Sequence, residues 1–448
     1  NDLVHTPNLD RLAEEGVVFE NAFTTSPVCS PSRTSMITGV HQTTLGAHHH
    51  RPLSHYKDGI TVPLPEQIQP LTAYLRDAGY FCINGEALTD GERGKLGYSF
   101  DYDSFESLFD GTDWTQREEG QPFFAEIHFS ETHRTFEHDP DNPIDPEEVE
   151  LPPYYPDHPL SRLDWALYLE TVQILDKKVG RVLQRLEDDG LAENTVVFFN
   201  SDHGRPMLRG KQWLYDSGIH VPLIVRWPGH IEPGTVRSDL VSAIDYAPTW
   251  LNIAGATIPN YLQGRDMFAE NLPDREYIYA ARDRCDEADY RIRTVRGQKY
   301  KYIRNYYPER PFTQFSAYKK REYPVLTLMQ QLDERGELSP PQAKLMAPYR
   351  DPEELYDLET DPYEINNLVD SEEHQDILQQ YRDELDLWLC ETDDQGKIQE
   401  HPEDAALIDR LEYEEFQEEM QARGLSADVP HTEYLAWWNK RLSAIKSG

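Results

Sequence analysis

The order of apolar runs and helical repeats predicts an α/β protein: a large mixed, mostly parallel sheet sandwiched by helices, with a smaller C-terminal α+β domain. Three observations predict it. Continuous apolar runs at 80–83, 123–129, 195–200 and 221–227 lack polar alternation, as parallel strands covered on both faces do. Segments of helical spacing lie between them. The clearest is 161–189, where Leu163, Leu167, Val172, Leu175, Val179, Val182 and Leu186 recur on one face. Beyond about residue 270 the texture changes to short strands at 277–280 and 299–304, then acidic helical stretches at 373–389 and 405–420. The expected domains are therefore 1–270 and 271–448, the second built from a small antiparallel sheet and helices. Two units suit 448 residues, because single cores stop growing near ~250–300.

The first helix is punctuated by Thr6 as cap, Pro7 at the first position, an apolar face of Leu9, Leu12 and Ala13, and Gly16 as stop. A short strand at 17–19 follows. The irregular stretch 21–29 then enters a second helix, with Ser30 as cap, Pro31 as first residue and Gly39 as terminator. A helix is also expected from Tyr246 to Ala254, and a long functional loop in the Pro-rich piece 139–159.

With 81 acidic and 43 basic residues the formal charge is −38, which repels nucleic acid and anionic lipid. Neither is expected as a partner, and no apolar run reaches the ~20 residues of a membrane span. The bland reading of the excess charge is a solvated acidic surface. An anionic substrate would require positive charge gathered in one pocket. Cys29, Cys82, Cys285 and Cys390 are too few and too scattered for a disulfide framework, and no C-x-x-C pair suggests zinc.

Chemistry concentrates at Cys29-Ser30-Pro31-Ser32-Arg33, where a loop enters a helix. Free N–H groups and the helix dipole stabilise a nucleophile or anion there, and Arg33 offers a bidentate clamp for sulfate or phosphate oxygens. A buried cysteine in a capped turn is the alternative. Asp202 and His203 directly follow the strand at 195–200, on the sheet edge where α/β sites collect. His133 and Arg134 follow the strand at 123–129, and Arg209 and Lys211 lie beyond Asp202. The run His48-His49-His50-Arg51 suits a sugar pocket, with His48, His50 and Arg51 as substrate contacts beside Arg134 and Arg209.

The string at 29–33 resembles the type I sulfatase signature C-x-P-S-R of the alkaline phosphatase superfamily. Thr6-Pro7-Asn8-Leu9-Asp10-Arg11-Leu12, Thr38-Gly39 and Ser201-Asp202-His203-Gly204 stand in that family's order. The resemblance implies that 1–270 is the catalytic domain, with an alkaline-phosphatase-like fold. It implies that Cys29 is oxidised by a formylglycine-generating enzyme or equivalent, and that the hydrated aldehyde attacks sulfur. It further implies a divalent cation, Ca2+ or Mg2+, held by Asp202, His203 and the oxidised Cys29. Arg33, Lys211 and His133 would complete catalysis, Lys211 binding sulfate and His133 acting as general acid.

Two departures stand out. The family's Asp-Asp pair ends a first strand that belongs before Asn1, so that strand is expected upstream of this sequence. Where the family has Lys-x-His, this chain reads Gly85-Glu86-Ala87-Leu88-Thr89-Asp90, and Lys95 is the nearest cation that follows. The C-terminal half is similar to the heparan N-sulfatase branch through Gly210-Lys211, Leu214-Tyr215, Glu354-Leu355-Tyr356-Asp357-Leu358 and Asp361-Pro362. The implied activity is hydrolysis of sulfate ester or sulfamate groups on a sulfated saccharide, in the periplasm or secreted. The alternatives are a phosphodiesterase or phosphonate hydrolase of the same superfamily, and a non-catalytic sulfated-glycan binder.

Overall fold

The computed structural model describes residues 3–50, 62–86 and 92–447. The chain opens with α1 (Pro7–Glu14), β1 (Val17–Phe23) and α2 (Cys29–Thr38). It continues through α3 (Leu71–Asp77), β2 (Phe81–Glu86), α4 (Phe105–Leu108), β3 (Phe123–His128), the 30-residue α5 (Pro159–Asp188) and β4 (Val197–Asn200). The short α6 (Asp216–Ile219), β5 (Leu223–Arg226), β6 (Thr235–Ser242) and α7 (Tyr246–Ile253) complete this part.

Four strands lie side by side in the order β4-β5-β1-β6. β1 runs parallel to β6 and antiparallel to β5, which is antiparallel to β4. β2 and β3 form a separate parallel pair. The sheet is thus mixed, with helices against it. β6 escapes the apolar-run criterion because Thr235-Val236-Arg237-Ser238-Asp239 alternates exposed and half-buried residues before Leu240 and Val241 enter the core.

β3 and β4 line the walls of one cleft of roughly 1860 Å³, together with the apolar side chains of Leu9, Leu12, Leu175 and Val179. Both strands are half-buried along their whole length, whereas β1 buries Val17, Phe19, Ala22 and Phe23. Cys29, His133, Asp202 and His203 also border this cleft.

Two expected caps are corrected by tertiary contacts. Thr6 makes no side-chain cap to α1. Asp176 of α5 does that work from outside, its carboxylate accepting the Asn8 and Leu9 N–H groups at 3.1 and 2.8 Å. Helix α2 begins at Cys29 after Val28 rather than being capped by Ser30, and Pro31 occupies its third position, where no helical N–H is lost. Gly39 does end α2, in a left-handed conformation (φ 65°) that a side chain would strain.

The C-terminal part carries an antiparallel sheet in the order β10-β9-β8-β7, from β7 (Ile278–Arg282), β8 (Ile292–Arg296), β9 (Tyr300–Asn305) and β10 (Glu353–Asp357). Around it pack α8 (Ala317–Glu322), α9 (Pro324–Glu334), α10 (Pro340–Met346), α11 (Gln375–Glu391), α12 (Pro402–Ala422) and α13 (His431–Lys446). One apolar core joins the two parts: Phe23, Trp165, Met207 and Trp213 share it with Ile278, Phe312, Tyr323 and Trp438. Among the described residues, no helix is long and apolar enough to cross a membrane.

Candidate active site

Helix α2 is polar yet almost wholly buried, and its hydroxyls are bonded to neighbours as burial requires. Ser32 Oγ and Thr24 Oγ1 both donate to the Asp202 carbonyl, at 2.5 and 3.0 Å. Thr34 Oγ1 accepts from the Ser99 N–H at 2.8 Å, and Ser35 Oγ donates to Gln42 Oε1 at 2.8 Å. The signature serine therefore staples the end of β4 to the start of α2. Cys29 and His203 meet as a result, with Sγ 3.1 Å from Nε2.

The His203 ring is oriented by its other nitrogen, Nδ1, which donates to the Gly204 carbonyl at 2.7 Å. Gly204 is required by close approach, since a Cβ there would run into the Ser217 carbonyl oxygen. One ligand atom each from Cys29, Asp202 and His203 lies within 4.8 Å of the others. The sulfur stands where the oxygens of an oxidised Cys29 would be. Carboxylate, imidazole nitrogen and such an oxygen make a mixed set suited to a divalent cation.

Burial opposes ionisation of the Cys29 thiol, but the Lys211 and Lys95 ammoniums and His203 outweigh it and hold the thiol well below its ordinary range. Burial likewise disfavours charge on Lys211, and the facing Cys29, Tyr318 and Asp202 overcome it and keep Lys211 protonated. Burial would lower His203, yet Asp202 and Cys29 raise it above the usual histidine value.

The loop that presents Lys211 is tightly held. Lys211 N–H donates to the Arg205 carbonyl at 2.8 Å and Gln212 N–H to the Pro27 carbonyl at 2.8 Å. Arg209 and Gln212 flank the lysine with φ of 63° and 77°, the left-handed region that non-glycine residues seldom enter. Lys211 Nζ lies 3.3 Å from His133 Nε2 and 4.9 Å from the centre of the Tyr318 ring.

Several expected roles change. His133 Nδ1 donates to the Arg134 carbonyl at 2.8 Å, so its neutral form presents a lone pair at Nε2. Burial and then Lys211 lower its pKa to about 4, which makes a free imidazolium general acid the wrong state at neutral pH. Arg33 is not an open sulfate clamp, because its guanidinium donates to the Lys95 and Leu96 carbonyls, both at 2.5 Å, and lies 3.6 Å from Glu126. Arg134 is bidentate to Asp164 at 2.7 Å, bonds the Pro206 carbonyl, and sits over the Phe136 and Tyr323 rings. Arg209 donates to the Tyr363 and Glu364 carbonyls and lies between the Tyr154 and Tyr215 rings. Both are framework groups rather than substrate ligands, since their forks are already occupied.

His50 Nδ1 is 2.7 Å from Ser30 Oγ, beside Cys29. His48 is buried against His49, with ring centres 4.3 Å apart, and Arg51 lies outside the described residues. Lys95, the cation that follows the place of the absent Lys-x-His pair, acts on Cys29, and Glu126, His128 and Tyr318 join the site without a sequence signal of their own. Glu126 and His128 alternate along β3 so that both face Arg33, and Tyr318 arrives from α8, more than one hundred residues beyond Lys211.

A thiol drawn toward ionisation beside an imidazole and two ammoniums makes a site suited to an anionic group. The chain belongs to the sulfatase family, which residues 1–256 match; residues 204–325 match the C-terminal domain of N-sulphoglucosamine sulphohydrolase. It is a sulfuric ester hydrolase. It is 35% identical to an ulvan-active sulfatase of Formosa agariphila, over 91% of this chain and 74% of that protein. To human N-sulphoglucosamine sulphohydrolase it is 28% identical, over 88% of this chain and 87% of that protein. Its fold matches BT4656 in complex with its substrate D-glucosamine-2-N,6-O-disulfate (18% identity, TM-score 0.60, 88% and 94% of the two chains). It also matches the phosphonate monoester hydrolase of Agrobacterium radiobacter (18%, TM-score 0.61, 87% and 92%).

Proposed function

We propose that this sulfatase removes sulfate from a sulfated saccharide of the ulvan type outside the cytoplasm, with Cys29 oxidised to formylglycine and Ca2+ or Mg2+ held by Asp202, His203 and the oxidised residue. The 3.1 Å approach of Cys29 to His203, under the combined field of Lys211 and Lys95, carries this reading. The ulvan-active relative favours the polysaccharide. When bound, the cation supplies Lewis-acid polarisation of the sulfuryl oxygens and eases ionisation of the nucleophile.

The chain's own residues do the remaining work. Lys211 and Lys95 hold the anionic sulfuryl group of the substrate against position 29 and stabilise the charge that develops on its oxygens. His203, fixed by the Gly204 carbonyl, turns Nε2 toward position 29. The leaving atom takes its proton from the Lys211–His133 pair, in which the ammonium faces the Nε2 lone pair across 3.3 Å.

The test uses the protein co-produced with a formylglycine-generating enzyme and supplied with Ca2+. Sulfate release from ulvan oligosaccharides and a mass of residue 29 matching the aldehyde are expected. Faster turnover of an aryl phosphate diester than of the aryl sulfate would favour the phosphonate hydrolase reading. Saccharide binding by the oxidised, calcium-loaded protein with no sulfate released would leave only a glycan binder.

A further inference from the structure

The loop that follows α2 meets the turn that follows β7 at the edge of the site. His50 N–H donates to the Arg284 carbonyl at 2.9 Å, and Asp286 N–H to the His50 carbonyl at 3.1 Å. These bonds hold Asp286 at φ 52°, a left-handed conformation that a residue other than glycine keeps only when its surroundings enforce it. Its carboxylate is mostly buried but weakly bonded: Cys285 Sγ lies 3.6 Å from one oxygen and His50 Nε2 3.8 Å from the other.

Asp286 is linked to Cys29 through His50 and Ser30, and to Lys211 through Cys285 and Gln212. Ser30, bonded to His50, follows Cys29. Gln212, which follows Lys211, donates to Cys285 Sγ at 2.9 Å. Cys29, Lys211 and Lys95 all act electrostatically on His50. Among the described residues this carboxylate keeps acceptor capacity near the cations that act on Cys29. Carboxylates take hydrogen bonds from hydroxyls and repel a second anion.

We propose that Asp286, with His50 Nε2 beside it, is the specificity-determining edge of the site. It accepts the free hydroxyls of the sugar whose sulfate lies against Lys211, and it excludes a sugar bearing a further sulfate at that place. The assignment rests on the saccharide reading above.

Sulfate release is measured on ulvan oligosaccharides before and after chemical over-sulfation, and on 4-nitrophenyl sulfate, which has no sugar hydroxyl. The wild type should favour the native oligosaccharide by about tenfold in kcat/KM. Asp286→Asn, which tolerates the same backbone conformation, should bring the two within about threefold, mainly through KM for the native oligosaccharide, and should harm 4-nitrophenyl sulfate less. Asp286→Gly relaxes the backbone, removes the carboxylate and should behave alike. The proposal fails if both variants keep the wild-type preference, or if 4-nitrophenyl sulfate loses as much as the saccharide does. Saccharide turnover without discrimination by the wild type overturns this proposal alone. Hydrolysis of 4-nitrophenyl sulfate with none from any saccharide overturns the saccharide reading and this proposal with it.

Discussion

Two flanks of the site carry cations of opposite use. On the Cys29 flank, the Lys211 and Lys95 ammoniums act on the Cys29 thiol. On the flank toward the C-terminal part, Arg134 and Arg209 are locked into Asp164, backbone carbonyls and aromatic faces. An ammonium is a mobile point charge, whereas a guanidinium fork already paired on two sides is a strut. In a protein of charge −38, the two lysines thus gather positive charge around Cys29, while Arg134 and Arg209 brace the loop that carries Lys211.

Removing the reacting residue should break the first flank most severely. Cys29→Ala is expected to lower sulfate release by roughly 10³-fold or more while the melting temperature barely moves, as a chromogenic sulfate assay beside calorimetry would show. The strut flank should fail in stability instead. Arg134→Met leaves Asp164 buried without its partner and should cost about 3–5 kcal/mol in urea unfolding. Lys211→Met, a change of similar volume, should reduce kcat/KM by roughly 10²-fold with little change in unfolding midpoint. If Arg134→Met instead left stability intact and removed only activity, the distinction between the flanks would be wrong.

The smallest expected effect is a pH slope. His41 is buried against Trp388, and burial followed by the Arg275 charge lowers its pKa to about 3. The unfolded histidine titrates near ~6.5, so the unfolded state binds more protons between those values. Stability should consequently fall as pH drops below about 6.5, by roughly 1.4 kcal/mol per pH unit for this group. In His41→Phe, urea midpoints at pH 7 and pH 5 should lie closer together than in the wild type.

Residues whose placement depends on chain neighbours were legible in the sequence. Cys29 at a helix mouth, Asp202 and His203 after an apolar strand, and Gly39 as a helix stop each follow from local pattern. Residues whose role depends on the fold were not. Nothing in the Arg134 or Arg209 neighbourhood announces that Asp164 or the Tyr363 carbonyl will reach them, and a free arginine beside a candidate site reads as an anion ligand by default. Tyr318 and Asp286 come from the C-terminal part and gain meaning only when one shared core brings both parts together. The missed β6 shows the same limit, since its polar half is an edge that apolar-run counting passes over.

The loop bearing Lys211 has its moorings elsewhere. Arg209 grips the 363–364 backbone, and Glu364 in turn accepts from Lys301 of β9 at 2.8 Å and from the Asp216 N–H at 2.8 Å. Loosening the terminal third of the polypeptide should thus disturb the electrostatic surroundings of Cys29 before the first sheet melts, so that heat inactivation tracks the far end of the molecule.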